Sequence, residues 1–248
     1  MKNLMEKSNP LYMDASDAIL NAIKRGDIAK DDKLPSENVL AKMLSISRPT
    51  LRNALQVLQN EGILEKRQGR ETIVNRPCLD LKLRIDQPLG FYTLIKNSGQ
   101  SPTIKKQEYK LINIDKSISD RLKIEKDSSC YFLEKLYAGD GEPIIYSRDY
   151  VPSSNLHEIP SEKKVRATVM DLFKLSKDFL IQPIAYSVLE IGSTRETKAI
   201  KELLNSKSRE TFVHLEETHY TKNNTIAAFS EIILRDSALK IQVVRKIY

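Results

Sequence analysis

The chain has 248 residues, which is enough for one large or two ordinary domains with a buried core. With 40% hydrophobic and 29% charged residues, no apolar stretch that could cross a bilayer and only two cysteines, its composition argues against fibrous, membrane, disulfide-rich secreted and disordered proteins. The net charge of +7 permits an anionic partner, but the excess is divided almost evenly between the part up to Arg76 (+3) and the rest (+4). Free thiols and the lack of an apolar N-terminal stretch predict a cytoplasmic location.

Three amphipathic helices are predicted near the N-terminus. Apolar spacing indicates the first over Tyr12–Arg25, ending near Gly26. Ser36 is a favourable N-cap for a second helix that runs to Leu44, and the side chains expected inside are Val39, Leu40, Met43 and Leu44. Ser47 caps the third helix, whose apolar stripe is Leu51, Ala54, Leu55 and Leu58.

Two short strands follow the third helix. Ile63–Lys66 and Thr72–Val74 flank a basic turn with a glycine at its tip, Arg67-Gln68-Gly69-Arg70. Three helices followed by a β-ribbon make a winged helix, in which the second and third helices form a helix-turn-helix pair. Such a pair places the N-terminal end of its third helix in the major groove of DNA.

The polar face of the third helix carries the candidate DNA contacts. Arg48 and Arg52 can reach guanine edges or phosphates, and the Ser47 and Thr50 hydroxyls can donate to phosphate oxygens. The alternative is that these arginines are ordinary exposed helix residues. The predicted DNA-binding residues are Ser36, Ser47, Arg48, Thr50, Arg52, Asn53, Arg67, Gln68, Gly69 and Arg70.

The motifs Leu34-Pro35-Ser36-Glu37, Ser47–Leu55, Glu61-Gly62 and Arg67–Arg70 make residues 10–76 similar to the DNA-binding domain of GntR-type bacterial transcriptional regulators. This resemblance implies binding to a double-stranded DNA operator. The chain departs from the family pattern at three positions, where many relatives have an arginine, a glutamate and a second wing glycine: Asn38, Asn53 and Glu71.

The rest of the chain contains an internal repeat. Helices with Ile118 and Leu122, and with Ile200 and Leu204, each precede a strand. Each strand leads through a polar turn into a return strand, a typical hairpin signal. The strands and turns are Tyr131–Tyr137, Gly139-Asp140-Gly141 and Ile144–Ser147 in the first half, and Val213–His219, Lys222-Asn223-Asn224 and Ala227–Ser230 in the second.

Two helix–hairpin halves predict an antiparallel sheet, so the chain as a whole is expected to be an α+β protein. The expected boundaries are 1–76 for the DNA-binding domain, 77–84 for a linker and 85–248 for the second domain. Gly139–Pro143, Tyr150-Val151-Pro152 and Leu234-Arg235-Asp236 make this second domain similar to the UTRA effector-binding domain of the HutC-like GntR branch. The resemblance implies a chorismate-lyase-like fold, a small-molecule pocket between the halves and a homodimer.

The resemblance also implies which residues line the pocket, in a family whose members often bind phosphorylated sugars. The positions expected to line it are the start of a helix, two residues of the first hairpin and a residue with a side-chain hydroxyl. Arg148 and Glu231 are added on the condition that they face inward; the alternative is that these two form an inter-strand ion pair. The predicted effector-binding residues are Gly90, Phe91, Lys135, Tyr137, Arg148, Thr168 and Glu231. Ala228 and Leu234 stand where a Glu and a Tyr often contact the sugar.

These patterns and the two resemblances together imply a ligand-responsive repressor that binds a palindromic operator as a homodimer and responds to a small anionic metabolite such as a sugar phosphate. The alternatives are an effector-independent architectural DNA-binding protein and a chorismate-lyase-like enzyme. We expect no enzyme activity and no cofactor, because nucleophile–base, paired-carboxylate, P-loop and GxGxxG motifs are missing. We also expect no metal site, since His157, His214 and His219 lack ligand spacing and the last two fall on opposite faces of a regular strand.

Overall fold

The computed structural model describes residues 10–66, 71–81, 84–87, 89–167, 171–194, 198–206, 210–236 and 238–245. The chain divides into two compact units, one of Met1–Gln87 with Gln242–Tyr248 and one of Pro88–Ile241. In the first unit Arg84 forms a parallel bridge with Gln242, and the Ile85 N–H donates to the Gln242 carbonyl. The predicted boundaries place Arg84 in the linker and both Ile85 and Gln242 in the second domain. The domain boundaries remain a prediction. Among the described helices, none has the length and apolarity needed to cross a membrane.

The first unit has the predicted order of elements. Its helices and strands are α1 (Leu11–Arg25), α2 (Glu37–Met43), α3 (Arg48–Asn60), β1 (Leu64–Lys66), β2 (Thr72–Val74) and α4 (Arg76–Leu79). Gly26 ends α1 in the left-handed conformation, with φ 81°. The strands β1 and β2 pair antiparallel, with Glu65 opposite Ile73. The described parts of this unit therefore form the predicted three helices and β-ribbon.

The core of the first unit is built on the apolar stripe of α3. Leu51, Ala54, Leu55 and Leu58 are all buried against residues of α1 and α2. The prediction that Val39 and Met43 are also buried is wrong, because these side chains are 47% and 56% exposed. A helix of two turns has one narrow inward stripe, and in α2 Leu40 and Ala41 take it, with the partly buried Leu44 just after the helix.

The second unit is a six-stranded sheet with helices on both sides. Its elements are α5 (Phe91–Asn97), β3 (Pro102–Asn113), α6 (Lys116–Leu122), β4 (Ser129–Gly139), β5 (Glu142–Pro152), α7 (Glu162–Ala167), α8 (Leu172–Phe179), β6 (Ile184–Thr194), α9 (Lys198–Leu203), β7 (Phe212–Thr221) and β8 (Ile226–Arg235). The strand order is β3-β4-β5-β8-β7-β6, and every neighbouring pair is antiparallel.

Both predicted hairpins are present, and they meet at the centre of the sheet, where β5 pairs with β8. In the first hairpin Gly139 lies opposite Glu142, and Asp140 and Gly141 have φ of 50° and 89°. Positive φ at both central residues is the geometry that Asp-Gly turns favour. The outer strands β3 and β6 complete the two halves; they were not predicted.

Alternation along the strands sorts the side chains onto two faces. We call the face of Leu133, Asp149 and Ser230 the first face, since these residues lie in register on neighbouring strands. Helices α7 and α8 pack there, with Val165 and Leu175 in its core. The second face bears the alternate residues of each strand. Helices α6 and α9 pack there, and its cores contain Ile118, Leu122 and Ile200 from these helices with Phe132, Leu136, Tyr150, Phe212 and Phe229 from the strands.

Candidate DNA-binding surface and effector site

The N-terminal end of α3 is fixed by its cap. The Thr50 N–H donates to Ser47 Oγ at 3.3 Å, and the two hydroxyls lie 2.8 Å apart. This arrangement leaves Arg48, Arg52 and Asn53 exposed on the side of the helix opposite its buried stripe. Of the predicted DNA-binding residues, those on α3 therefore form one surface with the cap hydroxyl.

The other predicted parts of this surface are Ser36 and the wing. Ser36 is exposed at the N-cap position of α2, where its carbonyl accepts the Val39 and Leu40 N–H groups, but its side chain makes no capping hydrogen bond. The wing residues Arg67, Gln68, Gly69 and Arg70 lie outside the described residues.

A carboxylate that the sequence analysis did not single out holds two basic residues of this surface. Glu37 Oε2 accepts from Arg52 Nε at 2.8 Å, and Glu37 Oε1 accepts from Lys66 Nζ at 3.0 Å. These hydrogen bonds, from Arg52 first and Lys66 second, lower the pKa of Glu37, so it is charged at neutral pH. Because Arg52 uses Nε here, Glu37 does not engage its two terminal nitrogens, which are the atoms suited to a guanine edge.

On the first face of the sheet the structure brings four of the predicted effector residues close to one another. Gly90 is the N-cap of α5, and the ring of Phe91 meets that of Tyr137 edge-on at 5.7 Å. Lys135 and Tyr137 are both almost fully buried, and Lys135 Nζ lies 5.9 Å from the centre of the Tyr137 ring. Thr168, the predicted hydroxyl, lies outside the described residues.

Two carboxylates that were not predicted lie among these residues. Asp171 caps α8, accepting from the Lys174 N–H at 2.9 Å, and its Oδ2 lies where a Cβ on Gly90 would point. Burial lowers the pKa of Lys135, while Asp149 and Asp171 act in the opposite direction. Burial raises the pKa of Asp149 to about 6. Lys135 is thus a buried ammonium group whose compensating charges are carboxylates of its own chain.

Arg148 and Glu231 do not face this site, because they lie opposite each other on the second face of the sheet. Arg148 Nη2 lies 2.9 Å from Glu231 Oε2, and the Tyr150 hydroxyl donates to the same oxygen at 3.3 Å. The condition under which they were added to the effector residues is therefore not met, and the inter-strand ion pair is what the structure has.

The second face also brings His214, Glu216 and Glu231 within 4.8 Å of one another, a spacing that could hold a metal ion. Both carboxylates already have cationic partners, Arg121 at 2.5 Å from Glu216 and Arg148 at 2.9 Å from Glu231. His214 and His219 lie on opposite faces, as predicted, since His214 is opposite Ile233 and His219 is opposite Ala228.

A buried row of polar groups crosses the first face next to Lys135. The Ser230 hydroxyl donates to Asp149 Oδ1 at 2.6 Å and lies 2.9 Å from His219 Nε2. On the other side of the imidazole ring, His219 Nδ1 lies 2.7 Å from Ser187 Oγ. Ser187 in turn hydrogen-bonds Glu217. The row thus connects β5, β8, β7 and β6.

The proton positions in this row follow from the number of donors. Ser230 spends its only proton on Asp149, so His219 Nε2 must carry the hydrogen that Ser230 accepts. The pKa of His219 is lowered by burial to about 3, so Nδ1 is unprotonated and accepts from Ser187. Burial raises the pKa of Glu217 to about 7, while its hydrogen bond with Ser187 acts in the opposite direction. Below that pH a protonated Glu217 can donate to Ser187, whose own proton is used by His219. Every donor in the row has an acceptor in this arrangement.

Both domains match known families. Residues 11–74 match the bacterial regulatory proteins of the gntR family, and residues 97–240, more than half of the chain, match the UTRA domain. The chain belongs to the GntR family. Its combination of a winged helix with a UTRA domain is the HutC-like architecture, and the predicted α+β fold class is confirmed.

Relatives of this GntR protein are transcriptional regulators. The transcriptional repressor NagR of Bacillus subtilis is 25% identical over 227 residues, covering 91% of this chain and 90% of NagR. The HTH-type transcriptional regulator YurK of the same organism is 30% identical over 145 residues, covering 58% of this chain and only 59% of YurK. The crystal structure of YydK from Bacillus subtilis has a TM-score of 0.74 at 15% identity, covering 96% of this chain and 100% of that chain, which shows a shared fold.

These relatives confirm the prediction that the protein is not an enzyme, and they support regulation of transcription through a DNA-binding domain joined to a UTRA domain. Sequence reasoning missed Glu37, Asp149, Asp171, Ser187, Glu217 and Ser230. The sequence held a signal for two of them, Asp149 and Ser230, which are polar residues on an otherwise apolar strand face. Their neighbours on that face, Val151 and Ile232, are apolar and buried.

Replacing Glu37 by glutamine tests its role in orienting Arg52. We expect Arg52→Ala to cost about 1–3 kcal/mol of operator binding and to relax one base position. Glu37→Gln keeps the arginine but loosens its geometry and removes a negative charge. Base discrimination at that position should therefore fall, while affinity for DNA in general and its salt dependence should rise. The measurement is competition binding against single-base operator variants.

Glu71→Gln is the matched control, since it also removes an exposed carboxylate of the first unit that is paired with a lysine, Lys33 at 2.8 Å. Equal base discrimination in Glu37→Gln and Glu71→Gln would mean that Glu37 does not orient Arg52.

The buried row predicts a pH dependence of stability. The folded-state pKa of Glu217, about 7, lies above its ordinary value of 4.5, so the folded protein binds more protons than the unfolded chain between these values. Glu217 therefore contributes less to stability as pH rises from about 4.5 to 7. Glu217→Gln has an amide that donates at every pH. Its free energy of unfolding should therefore rise relative to that of the wild type by up to about 3 kcal/mol across this interval, with no further change at higher pH.

Urea unfolding at a series of pH values measures this difference. The uncharged substitution Leu189→Ala, opposite Glu217 on β6, should change the free energy of unfolding by the same amount at every pH. A Glu217→Gln difference that is equally flat would contradict the proton arrangement derived for the row.

Proposed function

We propose that this GntR-family protein is a repressor that binds a palindromic operator as a homodimer and is regulated by a small anionic metabolite bound beside Lys135. The observation that carries the DNA-binding part is the N-terminal end of α3, where Arg48 and Arg52 are exposed beside the Ser47 cap. Because its target is bacterial chromosomal DNA, we place its activity in the cytoplasm.

The contacts proposed for DNA follow from this end of the helix. Arg48 and Arg52 are positioned for base edges or phosphates in the major groove. The Ser47 and Thr50 hydroxyls are suited to phosphate oxygens, and the wing residues Arg67 and Arg70 to the backbone. Repression as the sign of regulation rests on NagR, which is named a transcriptional repressor and aligns along nearly the whole chain.

A homodimer is proposed because a single helix-turn-helix reads only one half-site. A two-fold dimer presents two identical recognition helices, and its operator must therefore carry inverted repeats. The half-sites are expected to be centred about one helical turn, or a whole number of turns, apart.

The effector part of the proposal rests on Lys135. Its ammonium group is buried under aromatic rings, 5.7 Å from the centre of Tyr109 and 5.9 Å from that of Tyr137. An anionic ligand group entering here would replace the Asp171 carboxylate as a partner of Lys135 and displace it from Gly90. Sugar phosphates are the first compounds to examine, and carboxylate metabolites the second. Such a ligand can change DNA affinity only by its differential binding to two conformations, typically about 1–3 kcal/mol.

Selection of DNA from a random pool tests the operator. We expect enrichment of an inverted repeat, and binding of the full site with higher affinity than of either half-site alone. Arg48→Ala should weaken the selected site more than random DNA, because it removes a base contact as well as a charge. Enrichment of a single, non-repeated site by the wild-type protein would contradict the palindromic operator.

Calorimetry with variants of Lys135 and of Arg148 tests the effector site. Lys135→Met should lower the affinity for an anionic effector at least tenfold, which corresponds to about 1.4 kcal/mol, and Lys135→Arg should keep part of it. Both variants should bind operator DNA like the wild type when no effector is present.

Arg148→Met is the matched control because Arg148 lies on the second face, in its ion pair with Glu231. We expect it to bind the effector with wild-type affinity. The opposite result, a loss in Arg148→Met and none in Lys135→Met, would move the effector site to the second face.

A further inference from the structure

The C-terminal end of α3 lacks the basic residues that commonly complement the dipole of a helix. Helix α1 carries Lys24 and Arg25 in its last turn and α2 carries Lys42, but α3 has no basic residue there and its C-cap is Glu61. The last carbonyl groups of a helix have no partner within it and favour a nearby cation. In this chain the cation comes from a residue much later in the sequence, Arg84.

The guanidinium group of Arg84 is buried against this end of the helix. Its Nη1 donates to the Glu61 carbonyl, while its Nε and Nη2 donate to the two carboxylate oxygens of Asp86 at 3.1 and 2.5 Å. Only 6% of Arg84 is exposed. A buried cation is stable only with a counter-charge and hydrogen bonds, and these two partners supply both. Arg84 therefore fastens the end of α3 to the segment that follows the winged helix.

The same residues hold a segment that follows the effector domain in the chain. Residues 242–245, which we call the return segment, belong to the first unit. Arg84 forms a parallel bridge with Gln242, and the carboxylate of Asp86 accepts the N–H of Val244. The end of α3 and the return segment are therefore held by one pair of charged side chains.

Two chain connections join the units, one at residues 87–88 and one at residues 241–242. The second connection is also fixed within the second unit, where the Ala238 carbonyl accepts from Gln100 Nε2 at 3.2 Å. Gln100 in turn lies against the first hairpin, because its side chain occupies the space that a Cβ on Gly139 would need. Only a few residues thus separate this hairpin from the return segment.

We propose that Arg84 positions the recognition helix α3 and makes the position of that helix depend on the return segment. The inference rests on the proposed function in one respect, namely that the second unit regulates DNA binding. Helix α3 has 13 residues and is therefore about 20 Å long. A tilt of about 3° at its C-terminal end moves Arg48, at the other end, by about 1 Å. Hydrogen bonds to base edges tolerate little displacement of this kind.

Arg84→Lys tests the positioning role in the full-length protein. Lysine keeps the charge, but one ammonium group cannot make the paired hydrogen bonds to Asp86 and also reach the Glu61 carbonyl. We expect affinity for the operator selected from the random pool to fall at least tenfold. Affinity for random DNA and its salt dependence should stay unchanged, because the charge is retained and Arg84 is buried away from phosphates.

Arg76→Lys is the matched control, because Arg76 forms an ion pair with Asp32 at 2.5 Å in the same unit but lies partly exposed. It should bind the operator like the wild type. A stoichiometric titration of each variant separates positioning from stability. A variant that has only lost stability would show a smaller active fraction, with the wild-type ratio of operator affinity to random-DNA affinity.

A double-mutant cycle tests the dependence on the return segment. Gln100→Ala removes the donor to the Ala238 carbonyl, which lies outside the first unit. It should change operator affinity about threefold when Arg84 is present and leave it unchanged in the Arg84→Lys background. Gln182→Ala is the matched control, since it removes a side-chain hydrogen bond of 3.1 Å, with Asn223, elsewhere in the second unit. It should have no effect in either background.

The outcomes separate this inference from the proposed function. Wild-type operator affinity in Arg84→Lys overturns the positioning role. Equal effects of Gln100→Ala in both backgrounds overturn the dependence on the return segment. A tenfold loss in Arg84→Lys, with a coupled cycle and unaffected controls, supports the proposal. None of these measurements needs an effector, so a metabolite screen without a response would contradict the proposed regulation and leave the result for Arg84 in place.

Discussion

The antiparallel pairing of β5 with β8 is the contact on which the second unit depends. Each hairpin is specified locally by its turn, but this pairing joins Ile145–Tyr150 to Phe229–Leu234, residues far apart in the chain. Closing so long a loop is an entropic cost that the burial of the sheet must offset. The pairing also sets the register between the halves, and a shift by one residue would move every side chain of a strand to the other face.

That register decides which polar groups meet. On the second face it places Arg148 opposite Glu231, where the two partly exposed charges neutralise each other. On the first face it places Asp149 opposite Ser230, where burial leaves no water to solvate a charge. Burying a carboxylate is costly unless a counter-charge and hydrogen bonds are supplied, and Lys135 and Ser230 supply them. A polar, solvent-excluded surface next to a buried cation is the kind of site that discriminates between small polar ligands.

Sequence reasoning succeeded where a signal is local. The Ser47 cap, the Gly26 C-cap and the Asp140-Gly141 turn each act on residues next to them in the chain, so the helices of the first unit and both hairpins could be predicted. It failed where partners are distant. Glu37 lies 15 residues from Arg52 and 29 from Lys66, and no pattern in the sequence indicates that they meet.

The same limit applies to the sheet. Which face of the sheet Arg148 lies on depends on the register of β5. The bulge between Tyr137 and Ala138 helps to set this register, and alternation alone does not specify it. Strand β3 was missed because adjacent charged residues, Lys105 and Lys106, hide its alternation at a register shift.

An acidic residue within a DNA-binding surface needs a physical explanation, because it opposes the attraction to phosphates. The part of the chain up to Arg76 has a net charge of only +3, so sequence-independent attraction to DNA is modest from the start. Glu37 reduces it further near Arg52 and Lys66, while its hydrogen bond to Arg52 Nε restricts how that guanidinium group can point. An arginine with a restricted orientation loses less conformational entropy when it binds the correct base, and it gains less binding free energy from an incorrect one. We therefore expect the carboxylate to lower affinity for DNA in general and to raise the ratio of specific to non-specific binding, which is the quantity that matters among the many competing sites of a genome.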